Sequence, residues 1–157
     1  MLYASTVEIL GLPLHPLIVH ATVIIVPLAA MGAIVVALWK WARERYVELV
    51  ALAAIAAPIL ALITQRSGSD LAESLPQLSP AAAYHVSIGG QLLVWTIGLA
   101  VGAVVVWLGQ FWARRDHPRA RITLLVGAVL SIGFGLTSLV QVARIGHAGA
   151  TAVWGTR

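Results

Sequence analysis

The sequence predicts an all-α fold: a four-helix transmembrane bundle with both termini on the outer, periplasmic or extracellular side. Hydrophobic residues make up 60% of the chain and charged residues only 10%, whereas an ordinary soluble domain carries about 25% charged residues. The 157 residues also contain four long apolar runs, and each approaches or exceeds the ~20 residues that one helix needs to cross a bilayer. This small number of charged residues cannot cover the surface of a soluble domain of this size. Lipid is therefore the expected surrounding.

The first two spans are expected to form a hairpin. The first begins at Pro16, because proline suits the first turn of a helix, and Pro27 in its interior is expected to kink it. Residues 1–14 lack the basic segment of a secretory signal peptide, so this span is expected to be retained. The second span carries another interior proline, Pro58. These two spans are placed at about residues 16–39 and 47–65.

The last two spans form a second hairpin, at about residues 80–111 and 122–144, and the chain 1–157 is expected to be one membrane domain. The third span begins with Ser79 and Pro80, a good N-cap and first-turn pair. Gly146 is a plausible C-cap for the fourth span. Three sets of small residues four positions apart are expected to let the helices approach closely. They are Ala53, Ala57 and Ala61; Gly98 and Gly102; and Gly127, Ser131 and Gly135.

The basic residues predict the orientation. Seven of them fall between the first and second spans or between the third and fourth: Lys40, Arg43, Arg45, Arg114, Arg115, Arg119 and Arg121. The other side has only Arg66, Arg144 and Arg157. Because cytoplasmic loops carry the excess of Lys and Arg, the basic loops are expected to lie in the cytoplasm, with the protein in a bacterial cytoplasmic membrane. The net charge of +4 is thereby explained without a nucleic-acid partner.

The chain contains no cysteine, which excludes disulfides, zinc–thiolate sites, iron–sulfur ligation and thiol nucleophiles. No nucleotide-binding glycine motif or serine elbow is present. The spans also lack paired carboxylates and a nucleophile–base set, so catalysis by this chain alone is not expected. Histidine is therefore the main chemical resource.

Four of the five histidines fall on the outward side of the predicted bundle: His15, His20, His85 and His147. His20 follows Pro16 by four residues and His85 follows Pro80 by five, so both lie ~6 to 8 Å inside their helix starts. Two imidazoles at one depth can hold a haem iron from opposite sides. The leading hypothesis is thus a small membrane redox protein, or a subunit of a redox complex, with His20 and His85 as axial ligands of b-type haem.

Neighbouring residues fit this hypothesis. Gly89 lies one turn below His85 and leaves room for a flat macrocycle against the helix backbone. Arg144 near the membrane requires a partner, which is either a haem propionate or an acidic residue of the outward loop, Asp70 or Glu73. His15 and His147 are then expected to lie next to the two axial ligands or to replace one of them as a ligand.

Three alternatives stay open. The histidines suit a copper or zinc ion if helix ends bring three rings together. A proton or quinone site is the second alternative. The third is a cofactor-free accessory subunit, whose small-residue stripes pack against a larger membrane complex or against further copies of the chain.

The two halves of the chain share a pattern. Each begins on the outward side with a proline-led helix that carries a histidine, passes through an arginine-rich inward loop and returns. This pattern indicates two parallel hairpins, which is typical of a duplicated unit.

The segment from Leu14 to His20, LHPLIVH, resembles the LHPxxVH signature of a bacterial membrane family known as domain of unknown function 2231. The resemblance covers nearly the whole chain, with His85 near the start of the third helix and a Gly-His segment at residues 146–149. Ala150 departs from it, because the family pattern has glycine there. The resemblance implies four spans and, through members joined to a Rieske iron–sulfur domain, a redox partner.

Overall fold

The computed structural model describes residues 8–9 and 12–155, and its described part is built from four membrane-length helical segments. The segments are α1 (Leu14–Leu38), α2 (Lys40–Ser74), a third made of α3 (Pro80–Gly89) and α4 (Gln91–Ala113), and α5 (Ala120–Trp154). A two-residue antiparallel pairing of β1 (Glu8–Ile9) with β2 (Leu12–Pro13) precedes them. The predicted all-α, four-helix fold is confirmed, and all four segments are long and apolar enough to span a membrane.

The helices form an up-and-down bundle. The starts of α1 and α3 meet the ends of α2 and α5 at one end, which carries His15, His20, His85 and His147 and is called the histidine end below. The opposite end carries the seven cations of the two short connections and is called the basic end. Large apolar side chains such as Leu49, Leu52 and Val129 are exposed, as expected for surfaces that face lipid.

Small residues build the core. Alanines of α1 and α2 are almost completely buried between the helices, including Ala30, Ala33, Ala54 and Ala57. Between α4 and α5 the backbones touch, because a Cβ placed on Gly102 would lie 2.7 Å from the Ser131 backbone nitrogen. Membrane helices gain little from burying apolar area against each other, so close packing of this kind holds them together.

Helix α2 is much longer than predicted. It contains 35 residues and begins at Lys40, so the basic segment expected to be a loop is helical, and Trp39 alone separates α1 from α2. The prediction equated the helix with its hydrocarbon-spanning part. Charged residues also favour helices once they reach the headgroups, and Lys40 pairs with Glu44 one turn away at 3.7 Å.

The connection between α1 and α2 is closed by an arginine. The Nη1 atom of Arg43 donates to the carbonyl oxygens of Val36 and Ala37 at 3.0 and 3.2 Å, and its Nε atom donates to Gln110 of α4 at 3.1 Å. The last carbonyls of a helix lack intrahelical donors. Arg43 therefore satisfies the end of α1 and fixes it to α4.

The second hairpin follows the prediction at its start and departs from it at its end. Ser79 caps α3 by accepting a hydrogen bond from the Ala82 nitrogen at 3.2 Å, and Pro80 occupies the first turn. The helix is interrupted at Gly90 before it continues as α4. Gly146 does not end the fourth segment, because α5 continues to Trp154. The packing of α3 against residues beyond Gly146 supports this extension, and Ala148 is buried there.

Candidate functional site

Two half-buried histidines meet at the histidine end of the bundle. The ring centroids of His15 and His85 lie 6.5 Å apart, and the ring planes are inclined at 70°. Each residue stands at the beginning of a helix, His15 on α1 and His85 on α3. The two residues, called the histidine pair below, come from different halves of the chain.

His15 is fixed by α2. Its Nδ1 atom donates to the Thr64 carbonyl oxygen at 3.1 Å and lies 3.3 Å from the Ser67 hydroxyl. The ring packs beside Gly68, where an added Cβ would lie only 2.9 Å from the His15 Cε1 atom. Glycine at this position therefore leaves the space that the imidazole occupies.

His85 is fixed in the same way by α5. Its Nδ1 atom donates to the Ile145 carbonyl oxygen at 3.1 Å. The ring lies beside Gly149, where a Cβ would lie 3.1 Å from the His85 Cε1 atom. The carbonyl and the glycine are four residues apart in both helices, Thr64 with Gly68 and Ile145 with Gly149.

These hydrogen bonds determine where each ring has a free lone pair. A backbone carbonyl only accepts hydrogen bonds, so the Nδ1 atoms of His15 and His85 must carry the protons. The lone pair of each neutral ring is then on Nε2. Histidines that bind metals are usually held in this manner, with the other ring nitrogen donating to a carbonyl or carboxylate.

The other histidines of this end lie outside the pair. His20 is exposed on α1, and its Nδ1 atom donates to the Pro16 carbonyl of its own helix. His147 and Arg144 are exposed on α5, and neither side chain has a hydrogen bond or ion pair with any described residue. Gly89 is half-buried, and among the described residues no atom outside its own helix backbone lies within 4 Å of the position of its Cβ.

The structure therefore brings His85 together with His15 and not with the expected partner, His20. The reason is helical periodicity. His15 precedes the buried residues Thr22, Ala29 and Val36 by multiples of seven and shares their face. His20 lies five residues further along, about 140° around the helix.

Sequence reasoning did not find the residues that hold the rings, namely Thr64, Ser67, Gly68, Ile145 and Gly149. Two of them act through backbone carbonyls, which every residue has, so the sequence contains no signal for them. Gly68 and Gly149 gave no signal either, because the predicted second and fourth spans end at about residues 65 and 144, and glycine is common in the connections between helices.

The described residues contain no group of three or more histidine or carboxylate side chains that converge as metal ligands. The histidine pair brings two potential metal ligands, the Nε2 atoms of His15 and His85, into one region of the bundle. A comparison of the chain with family models, with curated proteins and with solved structures finds no match. The resemblance of the LHPLIVH segment accordingly stays a prediction.

Proposed function

We propose that this protein is a small membrane redox protein, or the redox subunit of a larger membrane complex, with a b-type haem held by His15 and His85. One observation carries the proposal: two imidazoles from different helices, each fixed through Nδ1 to a backbone carbonyl, meet with their centroids 6.5 Å apart. In its bound state, haem iron supplies one-electron transfer.

The spacing of the rings fits shared ligation of one metal. A metal–nitrogen bond is about 2.0–2.1 Å long, so the ring centroids of two imidazoles that share one ion would lie at most roughly 6 Å apart. The separation of His15 and His85 is within a few tenths of an ångström of that value. Each ring is already held through its Nδ1 hydrogen bond, which leaves Nε2 available as the ligand atom.

Two neighbouring features support haem in particular. The open space at Gly89, one turn after His85, leaves the backbone of α3 accessible to a flat group. Arg144 is a cation at the same end with no partner among the described residues, and a propionate is the kind of anion that it would bind. We place the histidine end outward, since the opposite end carries the basic residues.

A copper or zinc ion is the second candidate, because the same pair of Nε2 atoms can bind a bare ion. The chain then supplies two ligands, and the remainder come from water or from a partner subunit. This candidate shares the site with haem and differs from it in spectrum.

The test is the visible spectrum and metal content of the full chain, purified after expression with a haem supply. We expect a Soret band that is lost in His15→Ala and in His85→Ala. The band is expected to survive in His20→Ala and His147→Ala, which remove exposed histidines of the same end. Helical content by circular dichroism is measured for each variant, so that loss of haem is separated from loss of fold.

Stoichiometric copper or zinc without a Soret band would select the ion. The absence of both from protein that co-purifies with a membrane complex would refute the redox proposal and favour an accessory subunit. A band that depends on His20 and not on His15 would refute the assignment of the pair.

A further inference from the structure

A groove opens at the basic end of the bundle, remote from the histidine pair. It has a volume of about 440 Å³ and lies where the end of α1 and the start of α2 meet the end of α4 and the start of α5. Three cationic side chains line it, from Lys40, Arg43 and Arg121. No acidic side chain is among its lining residues.

Each of the three cationic side chains still has N–H groups that can bind an anion. Arg121 is exposed and makes no hydrogen bond or ion pair with a described residue. Arg43 uses its Nε and Nη1 atoms within the fold, which leaves the two N–H groups of Nη2. Lys40 has a long contact of 3.7 Å with Glu44, in which both side chains are largely exposed, and such pairs contribute little.

The rest of the groove is apolar. Leu38 and Leu125 line it and are 69% and 59% exposed, and Ala128 continues the apolar lining along α5, two turns beyond Arg121. The groove thus passes from a cationic mouth at headgroup level to a surface that belongs in the hydrocarbon. A soluble anion would satisfy only the cationic part.

We propose that this groove is a binding site for one anionic phospholipid, with the phosphate at Arg121, Arg43 and Lys40 and an acyl chain along Leu125 and Ala128. Two features indicate this occupant. The cationic residues match an anionic headgroup, and the apolar residues beside them match an acyl chain. Basic pockets between membrane helices commonly bind anionic headgroups in this way. The proposal does not depend on what the histidine pair binds.

The experiment is a lipid titration of the full chain in a neutral detergent, with bound lipids counted by native mass spectrometry and the melting temperature recorded. Phosphatidylglycerol and phosphatidylcholine with identical acyl chains are compared. We expect one phosphatidylglycerol to be retained per chain and to raise the melting temperature, with little effect of phosphatidylcholine.

Arg121→Gln is expected to weaken phosphatidylglycerol binding about fivefold, and Arg121→Gln with Lys40→Gln about twentyfold or more. Arg119→Gln is the matched control, because Arg119 is exposed at the same end but does not line the groove. The control is expected to bind as the unchanged chain does. Glycerol phosphate, which has the anion without acyl chains, is included as a competitor.

Three results would overturn the proposal. Equal losses in Arg119→Gln and Arg121→Gln would show diffuse attraction to the basic end. Effective competition by glycerol phosphate would show a site for a free phosphate group. Equal retention of phosphatidylcholine would show that the groove does not select charge.

Discussion

The chemistry proposed for this protein depends on two histidines that are held by backbone atoms. His15 and His85 each donate through Nδ1 to a carbonyl of another helix, and Ser67 beside His15 is the side chain that adds a contact to this arrangement. No substitution removes a backbone carbonyl, but a larger residue beside the ring would fill the space that the ring occupies. Gly68 and Gly149 provide that room and are the residues through which the pair can be tested.

Gly68→Ala is predicted to be about 1 kcal/mol less stable than the better helix propensity of alanine alone would make it, because the methyl group disturbs the hydrogen bond of His15. Its methyl group would lie 2.9 Å from Cε1 and 3.1 Å from Nδ1 of His15, which forces the ring away from the Thr64 carbonyl. Gly149→Ala is expected to act in the same direction on His85, with a smaller effect because its contacts are longer. Reversible unfolding in mixed micelles measures both.

Gly146→Ala is the control for this prediction. Gly146 also lies inside α5 at the histidine end, but no atom of another described helix lies within 4 Å of its Cβ position. Alanine there is expected to stabilise the helix by up to about 1 kcal/mol, since it is the better helix former. If Gly68→Ala were equally stabilising, the His15 ring would not be confined as described.

At the scale of residues, the sequence predicted some parts of the candidate site and not others, for a physical reason. The residue types of the site followed from the absence of cysteine and the placing of the histidines. The choice between His15 and His20 required the buried face of α1, and the spacing of seven residues between His15, Thr22, Ala29 and Val36, which share that face, is present in the sequence. Partner carbonyls such as that of Thr64 could come only from three-dimensional packing.

At the scale of the elements, composition predicted how many helices exist but not where they stop. Apolar length fixes the part of a helix in the bilayer, and all four such parts were found in the expected order. The helix ends depend on contacts beyond the predicted spans, such as the hydrogen bond of His85 with the Ile145 carbonyl at 3.1 Å. Such contacts join residues far apart in sequence, so α2 and α5 extended beyond their predicted ends.

The backbones of α4 and α5 approach each other closely. A Cβ on Gly102 would lie 2.7 Å from the Ser131 nitrogen, and a Cβ on Gly127 would lie 2.6 Å from the Val106 nitrogen. These neighbours are backbone atoms, which cannot move away unless the helices separate. The predicted small-residue stripes therefore set the distance between the two helices.

Gly102→Ala is predicted to destabilise the bundle by about 1–3 kcal/mol, because the methyl group overpacks the α4–α5 contact. The free energy of unfolding in mixed micelles measures the effect. Gly133→Ala tests the same substitution on α5, where no atom of another described helix lies within 4 Å of the Cβ position, and it is expected to be neutral or stabilising. A Gly102→Ala protein as stable as the unchanged chain would mean that the two helices pack less closely.

The whole molecule is a bundle of two similar halves. In each half a histidine at the start of one helix is held by a carbonyl, and by a glycine four residues later, in the helix that ends beside it. The halves are not identical, since Ser67 lies near His15 while Ala148 has the equivalent place in the other half. The arrangement fits the hairpin repeat indicated by the sequence and places one ring from each half at the shared site.

The two ends of the bundle differ in charge, and this difference predicts the orientation of the molecule in the membrane. Seven of the ten basic residues lie at the basic end, and cytoplasmic ends carry the excess of Lys and Arg. The chain has no cysteine, so single cysteines can report exposure. Gln77→Cys at the histidine end and Pro118→Cys at the basic end both replace exposed, uncharged residues, which leaves the charge asymmetry intact.

In intact cells with a permeabilised outer membrane, a maleimide that cannot cross the inner membrane is predicted to label Gln77→Cys and not Pro118→Cys. Disruption of the inner membrane is expected to make both react, which controls for buried or unreactive thiols. The reverse pattern would place the histidine pair on the cytoplasmic side, so that any electron partner would have to be cytoplasmic. Labelling of both cysteines in intact cells would contradict a single orientation, and the charge asymmetry would then not be what orients the bundle.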